Sequence, residues 1–244
     1  MDYMEWYDVV SELRPHVVRI VTPECTGTGF LVSYAVQGSM CVIATAAHVV
    51  NRAHYWEQPI RLESPATGKT ILIRPSERAI FIEETKDTAA IAFSHDDFPL
   101  PETPFDLAPE GKTLKIGNEI GWLGFPAISP TDLCFFSGRI SAFHTQSDTY
   151  LVDGVAINGV SGGPAFWNGG NRITITGVVS AYIANRATGE TLPGLSVVTN
   201  VQQFQELAKQ FKSLDEAKEQ ESSPAVVEQS CESASPAPEV TPSL

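Results

Sequence analysis

Eleven short runs rich in β-branched and aromatic residues, separated by Gly, Pro, Asn and Asp, constrain this chain more than any other feature. They are Val17–Val21, Phe30–Val36, Cys41–Thr45, Ile71–Arg74, Ala89–Phe93, Ile120–Leu123, Gly138–Phe143, Tyr150–Ile157, Ala165–Trp167, Ile173–Tyr182 and Leu195–Val198. Turn residues recur at short intervals, and no helical crossover of the length that parallel pairing needs separates the runs. The pattern predicts an antiparallel, all-β molecule. A connector carrying Pro99, Pro101, Pro104 and Pro109 divides the runs into two nearly equal halves. Two β-barrels joined by a linker are therefore expected, over about residues 15–100 and 111–199. Helical periodicity flanks them: Trp6, Val9, Val10 and Leu13 form one stripe in Tyr3–Leu13, ended by Pro15. Val201, Phe204, Leu207, Ala208 and Phe211 form another in Asn200–Lys212, where Asn200 and Gln203 have the spacing of a capping box.

Residues 1–212 are thus expected to form one folded domain. Residues 213–244 hold four prolines and seven acidic groups against the single Lys218, with almost nothing large and apolar to bury, and are expected to be disordered. The whole chain carries 16 Lys and Arg against 29 Asp and Glu, a formal charge of −13. Such a field repels nucleic-acid phosphate and anionic membrane, so neither is expected as a partner. No stretch is apolar and long enough to span a bilayer, and acidic residues stand at the N-terminus where a secretory signal would be basic. A soluble, cytoplasmic protein is the expectation. The four cysteines, Cys25, Cys41, Cys134 and Cys231, lack metal spacing and are too sparse for a disulfide framework, so free thiols are expected.

Three segments carry chemistry. His48 follows the apolar run Cys41–Ala44, and Asp87 opens the apolar strand Ala89–Phe93. Either residue alone reads more readily as structural, the histidine as a satisfied buried ring and the aspartate as a turn cap. A carboxylate beside a buried strand nevertheless needs hydrogen-bond partners, and a histidine N–H would serve. The third segment is Gly159-Val160-Ser161-Gly162-Gly163-Pro164. A serine nucleophile must stand exposed on a tight turn with backbone N–H groups aimed at the developing oxyanion, and glycines allow both the turn and the close approach. His48 and Asp87 fall in the first half and Ser161 in the second, in the order His, Asp, Ser.

With these residues the chain resembles the trypsin-like serine proteases of the chymotrypsin fold, nearest to the HtrA (Deg) peptidase domain of bacteria. Gly27-Thr28-Gly29-Phe30-Leu31-Val32, Gly121-Trp122-Leu123-Gly124-Phe125-Pro126 and Ser137-Gly138-Arg139-Ile140-Ser141 add to the likeness, which covers roughly residues 15–212. The resemblance implies two six-stranded barrels and a C-terminal helix. It implies a triad of Ser161 as nucleophile, His48 as base and Asp87 as orienting carboxylate, with the N–H groups of Gly159 and Ser161 as oxyanion hole. A substrate pocket is implied at Val155, Val179, Ser180, Ala181 and Tyr182 and in the region from Gly194 to Val197. These positions carry no charge, which predicts a small or medium apolar residue before the scissile bond of a polypeptide substrate. Val160 stands where activated relatives have an aspartate, no cysteine follows His48, and no PDZ-sized segment follows the second half. Any activation would then come from an unidentified partner. The rival reading is a silent or latent module that binds extended peptides along Val178–Ala181 without cleaving them.

Other signals are weaker. Thr67-Gly68-Lys69-Thr70 resembles the end of a phosphate-binding loop, but Glu63 stands where its first glycine should be, and a hairpin turn is expected instead. Gly27-Thr28-Gly29 lacks a third glycine, having Val32 there, so no nucleotide cofactor is expected. The remaining histidines show no zinc motif, and no metal is expected. Asp96 and Asp97 are lesser candidates for the acid, and Cys134, in an apolar run, is expected in the core.

Overall fold

The computed structural model describes residues 4–36, 38–94, 98–170, 172–184 and 191–222. Helix α1 (Trp6–Leu13) leads into β1 (Val17–Val21), β2 (Thr26–Ala35) and β3 (Met40–Thr45), followed by α2 (Ala47–Tyr55). Then come β4 (Ile60–Ser64), β5 (Lys69–Ile73), β6 (Arg78–Glu83) and β7 (Thr88–Ser94). The second half contains β8 (Glu119–Gly124), β9 (Cys134–His144), β10 (Thr149–Asp153), β11 (Pro164–Asn168), β12 (Ile173–Ala184) and β13 (Thr191–Asn200), and α3 (Gln202–Ser222) ends the described chain. Every strand pair is antiparallel, as the turn spacing predicts.

The second half is the expected six-stranded barrel, closed in the order β10-β13-β12-β11-β8-β9. The first half departs from expectation: it is a curled sheet of seven strands, β5-β4-β1-β2-β3-β7-β6. The additional strands are β4 and β6: charged residues break up the short apolar pattern of β4, and the apolar Ala79–Ile82 of β6 shows no alternation in the sequence. In β4, Ile60, Leu62 and Ser64 are buried while Arg61 is exposed and Glu63 half-exposed, the period of two that places one face inward. The segment from Ser64 to Lys69 is the predicted hairpin turn, joining β4 to β5. Glu83 on one outer strand and Lys69 on the other place charge along the open edges, which discourages further pairing.

Three apolar clusters hold the molecule together. One fills the first sheet under α2, with Ile20, Ile43, Val50, Leu62 and Ile91. A second fills the barrel around Trp122, Ile140, Tyr150 and Val198. The third lies between the halves, where Phe30, Val32 and Ala90 meet Leu123, Phe166 and Val178, closed off by Val9 and Leu13 of α1 and Phe204 of α3. Both flanking helices therefore bury their apolar stripes at the junction of the halves. The C-terminal helix starts two residues later than predicted and runs past Lys212 to Ser222, so residues 213–222 are helical rather than disordered. The expected Asn200–Gln203 capping box is absent: Asn200 donates to Asp148 Oδ1 at 3.0 Å, and Gln203 Oε1 accepts from Thr88 Oγ1. Residues 223–244 lie outside the described residues, as do Asp96 and Asp97. Among the described residues no helix is long and apolar enough to cross a membrane.

Candidate active site

His48 is the second residue of α2, a helix the sequence reading did not anticipate because Val49-Val50 and two histidines weaken its propensity. Ala47, Val50 and Ala53 at a spacing of three are the signal that could have revealed it. Their face is buried in the first sheet, which turns His48 outward with 44% of its side chain exposed. The N-terminus of α2 has no capping side chain of its own, since its N-cap is Ala46. Asp87 takes that role from 39 residues away. Its carbonyl accepts from Ala47 N at 3.1 Å, and its Oδ1 accepts from His48 N at 2.9 Å. The carbonyl and the carboxylate of Asp87 thus each satisfy an otherwise free N–H group, and the carboxylate sits where the helix dipole favours a negative charge.

The same carboxylate meets the imidazole. His48 Nδ1 lies 2.8 Å from Asp87 Oδ2 and 3.0 Å from Oδ1. Ser180 Oγ donates to Oδ2 at 2.5 Å. Burial pushes the Asp87 carboxyl upward, but the hydrogen bonds from His48 and Ser180 outweigh it, and the group is held below its ordinary value. Asp87 itself adopts a left-handed conformation (φ 52°, ψ 46°) after the single 3-10 turn Glu84–Lys86. A non-glycine residue persists there only where its surroundings over-determine it. Because an ionised carboxylate only accepts, Nδ1 of His48 carries the proton, and Nε2 presents a lone pair away from Asp87.

Ser161 is supplied by the second half, on the turn between β10 and β11. Gly159 (φ 94°) and Gly162 (φ 87°) take backbone conformations that side chains rarely adopt, and a Cβ on Gly162 would stand 2.1 Å from Thr28 O. One residue of the first half clamps this turn. Thr28 N donates to Ser161 O at 2.8 Å, Thr28 Oγ1 donates to Gly159 O at 2.8 Å and accepts from Phe125 N at 3.1 Å, and Thr28 O accepts from Thr45 Oγ1 at 2.7 Å. Thr28 is fully buried on β2 and was singled out in the sequence only as the middle of Gly27-Thr28-Gly29.

The peptide before Gly159 is also fixed. Ala127 N donates to Asn158 O at 2.7 Å, and in a trans peptide that carbonyl and the next N–H point in opposite directions. The N–H of Gly159 is therefore directed away from Ala127. Asn158, Gly159 and Ser161 share with His48 a cleft of about 410 Å³, whose other walls include the charged Arg19 and Glu24 beside Cys25, Thr26, Phe125 and Ala127.

The residues expected to form the substrate pocket are less uniform. Val179 is buried in the barrel cluster, and the Ser180 hydroxyl is committed to Asp87, so neither side chain lines this cleft. Val155 is about half exposed just after β10, and the side chains of Ala181 and Tyr182 lie outside the described residues. Cys25, Cys41 and Cys134 are free thiols, and Cys134 is half-buried rather than in the core. No cluster of metal-ligating side chains occurs among the described residues.

A curled β-sheet carrying His and Asp, packed against a closed barrel carrying Ser on a glycine turn, defines the chymotrypsin-like double-barrel class. Residues 27–175 match the model of the trypsin-like peptidase domain, and the chain belongs to that family. No curated protein matches significantly by sequence. Among solved structures, the Rv3671c protease in its inactive form is similar over 83% of this chain and 92% of that chain, with 20% identity and a TM-score of 0.58, and a mutant of Rv3671c from M. tuberculosis H37Rv in its inactive form is similar over 84% and 90%. Deg5 is similar over 82% of this chain and 90% of that one, with 17% identity and a TM-score of 0.61. The serine endoprotease from Yersinia pestis is similar over 85% of this chain and 66% of that chain, at 17% identity and a TM-score of 0.63. At these identities the likeness is one of fold.

Proposed function

We propose that this protein is a serine endopeptidase that cleaves polypeptides through an acyl-enzyme on Ser161. The observation that carries the reading is the Asp87 carboxylate on Nδ1 of His48, with His48 and Ser161 on one cleft. In this reading Nε2 takes the Ser161 hydroxyl proton as Oγ attacks the scissile carbonyl, and returns it to the leaving amine. Asp87 holds the tautomer and stabilises the imidazolium while staying ionised. The N–H groups of Gly159 and Ser161 receive the oxyanion, at about 3–4 kcal/mol for each donor by analogy with measured cases. The fixed Asn158 carbonyl supports a hole that is formed without a partner.

The substrate preference proposed is a small or medium apolar residue before the scissile bond. Val155, Ala181 and Tyr182 contribute no charge that could pair with a buried cation. The test is labelling by a fluorophosphonate, with the adduct located by mass spectrometry in the wild-type chain, Ser161→Ala and His48→Ala. Labelling confined to Ser161 and lost in both variants is expected. A folded wild-type protein that does not label overturns the reading in favour of a peptide-binding module.

A further inference from the structure

The residues on either side of Asp87 are both held by the C-terminal segment of the chain. Thr199 Oγ1, on β13, donates to Lys86 O at 3.1 Å. Four residues later, Gln203 Oε1 in the first turn of α3 accepts from Thr88 Oγ1. Lys86 Nζ adds an ion pair to Asp148 at 3.9 Å. Asp87 therefore keeps its left-handed backbone while its flanks are fastened to elements more than 100 residues away in sequence.

The Thr88–Gln203 bond is poorly backed by packing. It lies at a cavity of about 340 Å³ between the β6–β7 hairpin and α3, bounded by Phe81, Ala89, Phe204 and Leu207. Thr88 is itself buried at the start of β7, and Gln203 is the partner that its hydroxyl meets there. We propose that Gln203 is a positioning residue for the reaction: through Thr88 it fixes the backbone of Asp87 and so the orientation of the His48 imidazole. The C-terminal helix then has a second role beyond covering the junction of the halves, which is to set the geometry of the acid and base. This inference rests on the peptidase reading for its catalytic consequence, although the effect on His48 is separate from catalysis.

The experiment compares Thr88→Val, which removes only the hydroxyl, with Thr88→Ser, which keeps it, and with Gln203→Leu and the double variant Thr88→Val/Gln203→Leu. Leu207→Ala serves as a control that weakens α3 packing and leaves the bond in place. Two readouts are taken: the ring 15N shifts of His48 across pH, which report its tautomer, and the fluorophosphonate labelling rate. We expect Thr88→Val and Gln203→Leu each to lower the rate roughly three- to tenfold, the effect of one hydrogen bond, and to erode the Nδ1–H tautomer. The double variant should be no slower than either single one, and Thr88→Ser and Leu207→Ala should label at the wild-type rate. Unchanged 15N shifts in Thr88→Val and Gln203→Leu overturn the inference, as does an equal slowing in Leu207→Ala. Should the wild-type protein not label, the peptidase reading fails and the 15N shifts alone decide: a tautomer change sustains the positioning role, and its absence overturns it.

Discussion

Asp87 concentrates more of this molecule than any other residue. Its backbone and carboxylate cap α2, its Oδ2 binds the imidazole and the Ser180 hydroxyl, and its conformation is one that glycine would adopt more readily. Asparagine there would present an NH2 group to donors that need an acceptor, favouring the wrong tautomer of His48. Asp87→Asn is expected to slow fluorophosphonate labelling by about 10⁴-fold with little loss of fold, checked by labelling rate and circular dichroism. The pH consequence follows from the direction of the shift. With a carboxyl held below its ordinary value of 3.8, Asp87 contributes stability that is present above that value and lost as pH falls through the folded one. Ser180→Ala removes one of the bonds that lower it, so the Asp87 carboxyl should titrate at higher pH by 13C NMR.

At the scale of elements, the site depends on one strand of the first half gripping one turn of the second. Thr28 on β2 binds Ser161, Gly159 and Phe125 of the second half, and it is fully buried. Thr28→Val keeps the shape but leaves the Gly159 carbonyl and the Phe125 N–H without their partner. A loss of about 2–4 kcal/mol in unfolding free energy is expected, with slower labelling as the Ser161 turn loosens, measured by urea denaturation and labelling rate. That the Thr28 bonds would be needed was not readable from Gly27-Thr28-Gly29, which the sequence shows only as a glycine-flanked stretch leading into the strand Phe30–Val36. Nor was α2 readable, because its helical spacing is short and its propensity weak. The strands β4 and β6 were hidden for different reasons: the outward residues of β4, Arg61 and Glu63, are charged, whereas β6 exposes the apolar Ala79 and Phe81, so Ala79–Ile82 shows no alternation of apolar and polar residues.

Across the whole molecule, the junction of the halves carries a buried histidine. His16 Nε2 donates to Thr103 O at 3.0 Å, its ring meets Phe105 edge-on at 4.4 Å, and its Nδ1 is buried without a hydrogen-bond partner. Burial lowers its pKa below 6.5, against the opposing effect of the backbone carbonyls of Thr103, Glu12 and Leu13. Between the folded and unfolded values the unfolded chain binds the extra proton, so stability rises with pH there and is lost as pH falls below the unfolded value. The wild-type protein is expected to show a lower urea midpoint at about pH 5.5 than at about pH 7.5. His16→Gln, which can still donate to Thr103, should flatten that difference.

The sequence by itself determined the antiparallel all-β class and the division at the proline-rich connector, because turn chemistry and strand alternation are local signals, and it singled out His48, Asp87 and Ser161 as candidates through their order along the chain and the glycine-rich serine turn. It also indicated the apolar stripes of α1 and α3, which repeat within a single element. Only the tertiary structure decided that the first half is a seven-stranded open sheet, since edge strands are defined by what lies beside them. It decided as well that Ser180 serves Asp87, that Thr28 joins the halves at the serine turn, and that α3 reaches the flank of Asp87 through Gln203. Those contacts join residues about 90 to 130 positions apart, and a hydrogen bond between such residues leaves no periodic trace in the chain that makes it.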